Sequence, residues 1–368
     1  MSYNFAPCLN DGSKLNQLSE IPSKGTQNFV YSTQNLDYSR GETFILDKLA
    51  QSGGNAKIEN EVFRKRAKAK YITNGFIIDL ANLNSSLKKS YWNTFHCVEN
   101  LLYHPDKKKI IGQYCKNRWC LVCNRIRTGK LMNLYFDEFA KYEDLYFVTL
   151  TIRNITENRL PGALKHMQES WNLIRLRFKQ RKMSFDGIRK NECTYSMKEN
   201  TYHPHMHVVV RGKQQAEMLL SEWQDIYNIG YPMVIDATPE ELPFYAYSKS
   251  QDVRKCDNDT LKELFKYFTK VVKRDKNTPK NEYPVFIHPL DVMNRAYYKA
   301  RVFNSFGIFR NLKIEDAENI EEITAEQVEQ LFDGLVWEWV QDQSDWVSEY
   351  GELLTDNKYH SEIKVITK

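Results

Sequence analysis

Residues 201–210, TYHPHMHVVV, constrain the fold more tightly than any other stretch of the 368-residue chain. His203, His205 and His207 alternate and run into three valines. That is the period of an extended strand, on which alternate side chains share one face. One histidine in such a place is ordinarily a satisfied core residue. Three on one face need a chemical reason, and two adjacent same-face imidazoles are a natural bite for a divalent ion.

The flanking sequence supplies elements for that strand to pair with. LYFVTLTIRN (145–154) alternates and is rich in β-formers, and GIRKNECTYSM (187–197) reads as a second strand. The turn KENTYHP joins 187–197 to the histidine strand, so the two form a hairpin. Helical period marks LMNLYFDEFAKY, 161–181 with Pro161 in its first turn, 216–227 and 259–274. YPMVIDATP (231–239) reads as a short strand, and VMNRAYYKARVFNSFGIFR as a helix followed by a strand. Strands interleaved with helices around a tight hairpin predict an α+β domain, an antiparallel sheet with helices packed on it.

Four of the seven cysteines cluster. Cys115, Cys120 and Cys123 form C-x4-C-x2-C with Cys97 upstream, and the turn at Cys120 and Cys123 lets two thiolates reach one tetrahedral ion. A Zn²⁺ held by Cys97, Cys115, Cys120 and Cys123 would have no open position and hence a structural role. His96 and His104 are rival fourth ligands, and buried free thiols are the plain alternative. Arg118, Arg125, Arg127 and Lys130 surround this knuckle and suit a module resting on phosphates. The start, MSYNFAPCLNDGSK, lacks the pattern of a secretion signal, so the expected location is the cytoplasm and a disulfide framework is disfavoured.

Charge is divided unevenly. Residues 314–368 hold 15 acidic side chains against 3 lysines, a net of −12, so with +5 for the whole chain residues 1–313 carry +17. A body that basic favours a polyanionic partner, nucleic acid being the commonest, although a solubilising surface has the same composition. No apolar run nears the roughly 20 residues of a membrane span. The expected organisation is a polar, loosely ordered leader over 1–75 with at most one helix, a cysteine-rich module over 76–135, a catalytic domain over 136–313, and an acidic helical extension over 314–368.

The segment 259–274 carries an apolar stripe of Leu261, Leu264, Phe265, Phe268, Val271 and Val272. Its other face carries Glu263, Lys266, Tyr267, Lys270 and Lys273. Glu263 and Tyr267 are four apart and therefore neighbours. A tyrosine off the stripe, beside a carboxylate and lysines, suggests a phenol presented to an anion. Thr260-x-x-Glu263 is equally a capping box, in which Glu263 would only bond backbone N–H groups. If a metal on the histidine strand faced Tyr267, it could neutralise and orient a phosphodiester. Attack by the phenol would then leave a phosphotyrosine and a free 3′-hydroxyl. Glu263 could activate water to release a later product.

These motifs resemble a known family. HPHMHVVV is similar to the HUH motif, with His205-Met206-His207 as its core, and FVTLTIRN to the strand motif that precedes it. ELFKYFTK resembles E-x3-Y-x2-K, CKNRWCLVC the upstream cysteine motif, and RVFNSFGIFR the R-x3-S-x-G stretch that follows. Together, in order from Cys97 to Arg310, they resemble the replication initiators of small rolling-circle plasmids in the HUH endonuclease superfamily, the type with one nucleophilic tyrosine and a partner glutamate. The resemblance implies a five-stranded antiparallel sheet flanked by helices and preceded by a small zinc-binding module. It implies Mg²⁺ or Mn²⁺ at His205 and His207, Tyr267 as nucleophile, Glu263 ending the cycle through water, and Lys270 contacting the scissile phosphate. The motif leaves the third ligand open, with Glu192 first and His203 second. The implied substrate is single-stranded or hairpin DNA at the plasmid double-strand origin, with host helicase and polymerase as partners. An HUH transposase or relaxase shares this chemistry. His203-Pro-His205-Met-His207 also fits the histidine-triad nucleotide hydrolases, and a non-catalytic zinc DNA-binding regulator needs only the knuckle and the basic body.

Overall fold

The computed structural model describes residues 55–104, 109–228, 244–265, 284–311, 336–348, 351–355 and 365–366. Its centre is the histidine strand. β-branched residues and alternation give β3 (Leu145–Thr151), β4 (Gly187–Ser196) and β5 (Thr201–Arg211), with β6 (Asp252–Lys255) and β8 (Phe303–Phe306) at the edges. The order is β6-β3-β5-β4-β8, every neighbour antiparallel. Pro204 sits inside the central strand, where a missing N–H normally breaks a ladder. Here β3 ends at Thr151, opposite His205, and the next pairing on that side is the two-bond exchange of Tyr202 with Ile155. The proline therefore falls in the gap between them.

Antiparallel partners share faces, so the sheet separates two chemistries. Met206, Val208 and Val210 face α4 (Leu160–Gln180) and α5 (Lys213–Asn228), whose Trp171, Ile174, Phe178 and Trp223 are buried with them. The histidine face carries Ile188, Phe147 and Val209, covered by α3 (Leu121–Phe139) and α6 (Asn258–Phe265) through Leu131, Tyr135, Phe139, Leu261, Leu264 and Phe265. The α+β expectation, a five-stranded antiparallel sheet between helices, is what the chain forms. A methyl group added to Gly187 of β4 would overlap the Val209 carbonyl and lie 2.8 Å from the Phe306 ring, so it has no room. Gly187→Ala is expected to destabilise the domain by about 1–3 kcal/mol, read as a lowered thermal midpoint.

A second sheet carries the cysteine cluster, in the order β10-β9-β1-β2: β1 (Asn100–His104), β2 (Lys109–Gly112), β9 (Val336–Val340) and β10 (Asp345–Ser348). Two expectations change here. The acidic extension, expected to be helical, instead forms in its described part the strands Val336–Val340 and Asp345–Ser348, joined by a single 3-10 turn. Trp339 N–H bonds Glu99 O at 2.8 Å and Trp346 Nε1 bonds Val98 O at 2.8 Å. The buried indoles of Trp337 and Trp346 hold it there, so tertiary packing overrides the helical propensity of an acidic sequence. The leader boundary at 75 also falls inside a helix, α1 (Asn55–Asn82), which buries Ala67, Ile72, Phe76, Ile77 and Leu80. Thr73 Oγ1 accepts the Leu121 N–H at 3.2 Å, where α3 leaves the cysteine knuckle. The short α2 (Lys88–Phe95) and α7 (Ile287–Ala296), the latter preceded by β7 (Val285–Phe286), complete this side. Buried Asp291 of α7 accepts from Tyr91 of α2 at 2.6 Å. YPMVIDATP lies outside the described residues. Among the described residues no helix is long and apolar enough to cross a membrane.

Candidate metal centres

Cross-strand register assembles the first centre. Glu192 of β4 is opposite His205, and Lys190 is opposite His207. All four therefore emerge on one face. Glu192 Oε2 lies 3.2 Å from His205 Nε2 and 3.6 Å from His207 Nε2. The ligand atoms of Glu192, His205 and His207 all lie within 4.8 Å of one another. Octahedral Mg²⁺ or Mn²⁺, with bonds near 2.1 Å, asks for adjacent donors about 3 Å apart, so this edge fits a hard divalent ion. The other ring nitrogens are held as such a site requires. His205 Nδ1 is 3.1 Å from the His203 carbonyl, and His207 Nδ1 is 3.4 Å from Thr149 Oγ1. With an ion bound, donation from Nδ1 would leave each Nε2 lone pair to the metal; without one, both Nε2 groups face the Glu192 carboxylate.

His203 stands one row nearer the end of the sheet, its ring 5.3 Å from that of His205, and is not in the converging group. Burial, then the neighbouring His205, pulls its pKa down to about 4. Lys190 was missed by sequence reading. It is fully buried and its ammonium contacts Glu192 Oε1. The signal was present, since residues two apart on a strand share a face. Burial alone would raise the Glu192 pKa, but hydrogen bonds from His205 and His207 and the charge of Lys190 hold the carboxyl well below its usual range. The result is a buried carboxylate with one oxygen committed to a lysine and the other turned to two imidazoles.

Tyr267 and Lys270 lie outside the described residues, as does the side chain of Glu263. The backbone of Glu263 belongs to α6, and α6 is seated on the histidine face. Phe265, two residues before Tyr267, stacks on Phe303 at 6.3 Å, and Phe303 is the cross-strand partner of Lys190. Thr128 Oγ1 of α3 bonds the Phe265 carbonyl at 3.1 Å. The capping expectation changes as well. Asp257 Oδ1 accepts the Thr260 N–H and Thr260 Oγ1 accepts the Asp257 N–H, both at 2.7 Å. Asp257 is thus the cap and Thr260 its partner inside the helix, which removes Thr260 from the role of cap to Glu263.

The second centre is the cysteine cluster. Sγ of Cys97 lies 3.6 Å from Cys120 and Cys123, and Cys115 Sγ lies 3.7 Å from Cys123. A disulfide needs about 2.05 Å, whereas four thiolates 2.3 Å from a tetrahedral Zn²⁺ would be about 3.8 Å apart. The donor set fits zinc. Without a cation the sulfurs cannot all ionise. Burial, then the Cys115 sulfur, pushes the Cys120 thiol well up; Cys115, against the push of burial, is held well down by the neighbouring thiols. His96 is exposed and paired with Glu99 at 2.8 Å, and it is not in the cluster; the His104 side chain lies outside the described residues. Not all of the surrounding cations face outward. Arg127 donates to the carbonyls of Lys116 and Asn117, and Arg118 Nη1 to the Tyr297 carbonyl at 3.3 Å. Tyr297 in turn donates its hydroxyl to the Glu192 carbonyl at 2.9 Å. A short chain of contacts therefore joins the two centres.

The model of the Rep_1 family, described as replication protein, matches residues 107–350. The chain is 30% identical over 254 residues to Protein rep of a Bacillus species, covering 61% of this chain and 80% of that one. It is 27% identical over 246 residues to Protein rep of Bacillus amyloliquefaciens, covering 60% and 70%. A match to Protein rep of Streptococcus pneumoniae, 31% over 106 residues, spans only 33% of that protein. No solved structure matches the chain significantly.

Proposed function

The chain belongs to the Rep_1 replication protein family, and from that premise we propose that it starts rolling-circle replication of a plasmid as an HUH endonuclease. Its substrate is single-stranded or hairpin DNA at the double-strand origin, and its product carries a 5′-phosphotyrosine beside a free 3′-hydroxyl. The observation that supports this reading is the convergence of Glu192, His205 and His207 on the face that also seats α6, two residues short of Tyr267. Glu192, His205 and His207 hold Mg²⁺ or Mn²⁺, with Glu192 rather than His203 as third ligand. The ion, when bound, neutralises and orients the scissile phosphate.

The chain's own residues do the rest. Tyr267 Oη attacks phosphorus, its P–O bond forms as the P–O3′ bond breaks, and the phenolic proton leaves as the 3′-oxygen gains one. Lys270 contacts the phosphate. Glu263 later removes a proton from the water that closes the cycle. Cys97, Cys115, Cys120 and Cys123 hold a structural Zn²⁺. Host helicase and polymerase act on the opened strand. The histidine-triad alternative needs His205 as a free nucleophile, but its Nε2 is buried against Glu192.

The deciding experiment is incubation of the protein with a labelled single-stranded origin fragment with and without Mn²⁺, followed by mass spectrometry of the attached peptide. Adduct on Tyr267 supports the proposal, and no cleavage under any divalent ion sinks it. Glu263→Ala is expected to nick and form adduct at about the normal rate but to lose roughly 10²-fold in the water-dependent final cleavage. Unchanged final products would reduce Glu263 to a helix-surface residue.

A further inference from the structure

We infer that the loops at the histidine end of the five-stranded sheet form a stacking platform for single-stranded DNA, with Tyr247 and Tyr298 as its base-stacking side chains; this rests on the endonuclease reading above. Strand polarity brings the loops together. β3 ends at Thr151 and β4 at Ser196, while β5 begins at Thr201, β6 at Asp252 and β8 at Phe303. Because all neighbours are antiparallel, these five ends lie at one edge of the sheet, beside the row of Thr151, His205 and Glu192. The segments that emerge there are 152–156, 197–200, 244–251 and 297–302.

Two independent features mark this edge. Among the described residues six large apolar side chains are exposed, and three of them, Met197 (61%), Tyr247 (46%) and Tyr298 (49%), belong to these segments. The same segments carry Arg153, Lys198, Lys249, Lys299 and Arg301, all exposed, against one acid, Glu199. None of the five cations forms an ion pair with a described residue, whereas Glu199 is engaged by Asn154 at 2.7 Å. Lys299 lies over the Tyr298 ring at 5.4 Å. Exposed aromatic rings interleaved with uncompensated cations are what a backbone-tracking, base-stacking surface for single strands requires.

Both rings stand on fixed backbone. Arg153 N–H bonds the Tyr245 carbonyl at 2.6 Å, and Tyr245 meets Tyr247 edge-on at 4.8 Å. Gln251 bonds the Tyr247 carbonyl at 2.9 Å and accepts the Thr151 N–H at 2.8 Å. Tyr298 follows Tyr297, which is buried and hydrogen-bonded to the Glu192 carbonyl. Rings held on fixed backbone in water lose little further freedom when a base covers them. Only unpaired bases offer their faces, so the platform selects single strands over duplex. A strand stacked there passes the Glu192–His205–His207 centre with its phosphates on the cations.

The test is fluorescence anisotropy of the full chain with a labelled oligothymidylate of about 20 nucleotides and with a duplex of equal length, with no divalent ion added. Tyr247→Ala and Tyr298→Ala are each expected to weaken the single-strand complex about tenfold and the duplex complex about twofold or less, and Phe at either position to restore it. Arg301→Gln is expected to flatten the log–log salt slope by about 0.7. Leu176→Ala, exposed on α4, serves as the control and should change neither. Wild-type affinity in both tyrosine variants, or equal losses on the two DNAs, overturns the platform. A changed sedimentation coefficient with unchanged DNA affinity overturns it too, in favour of a protein interface. Binding is read without cleavage, so a wild-type protein that binds but never nicks sinks the endonuclease reading alone.

Discussion

Tyr267→Phe is expected to abolish the covalent protein–DNA adduct and to slow nicking by at least about 10³-fold while leaving origin binding within about twofold. The substitution removes one oxygen and leaves the ring. A phenol with a pKa near 10 is only about 0.1% ionised at neutral pH, so under the proposed mechanism its nucleophilicity would depend on a nearby cation and on being held in line with the phosphate. Water could attack the same phosphorus, but it lacks that positioning, whose loss alone accounts for several powers of ten. The His207→Ala change should look different: nicking also falls, but Mn²⁺ binding by calorimetry falls with it, whereas Tyr267→Phe binds the ion normally. The decisive readout is a denaturing gel of end-labelled origin DNA. Adduct persisting in Tyr267→Phe would move the nucleophile to another phenol and break the link between α6 and the chemistry.

Much of this site could be read from the chain because strand chemistry is local. Alternation puts His203, His205 and His207 on a common face, and the hairpin at KENTYHP brings 187–197 alongside them, so Glu192 on that strand could be named first among candidates for the open third ligand. What alternation cannot decide is which of two same-face donors is within reach of the ion. Register decides that: Glu192 is the direct partner of His205, whereas His203 pairs with Thr194 one row farther out. Lys190 escaped because a lysine in a strand is ordinarily an exposed residue, and only three-dimensional neighbours reveal that it is fully buried against Glu192. The tail was misread for a related reason. Its acidic residues suit a solvated helix, and the contacts that make it a strand, the Trp346 indole on the Val98 carbonyl and the Trp339 backbone N–H on the Glu99 carbonyl, lie more than two hundred residues upstream. Likewise the Thr260–Glu263 spacing satisfied a capping pattern that Asp257 fills in the fold.

Cys123→Ser, or removal of the proposed zinc by a chelator, is expected to lower the thermal midpoint by about 6 °C or more and to weaken Mn²⁺ binding at the other centre. A tetrahedral thiolate site in small zinc peptides contributes about 10–16 kcal/mol to folding. Here part of that is redundant, because Trp119, Leu101, Trp337 and Trp346 are buried in a core continuous with that of the five-stranded sheet. A residual loss of about 3–4 kcal/mol, at roughly 2–4 °C per kcal/mol for a domain of this size, gives the stated shift. The loss has a local cause as well as a global one. Four clustered sulfurs at 3.6–3.7 Å, three of them buried and Cys115 half-buried, would lose the charge that holds them together, and buried Lys70, which donates to the Phe95 carbonyl, would lose the thiolates that balance it. Arg118 lies between Cys115 and Cys120, so disorder in the knuckle reaches the Tyr297 carbonyl and, through the Tyr297 hydroxyl, the strand that carries Glu192. Tyr297→Phe separates the two effects: it should leave zinc content and the midpoint nearly unchanged yet weaken Mn²⁺ binding about threefold to tenfold, the value of one lost hydrogen bond. Elemental analysis of the purified chain sets the baseline. A wild-type protein with no zinc, or a Cys123→Ser variant that melts with the wild type, would make the cluster four ordinary buried thiols and leave the catalytic centre to stand without it.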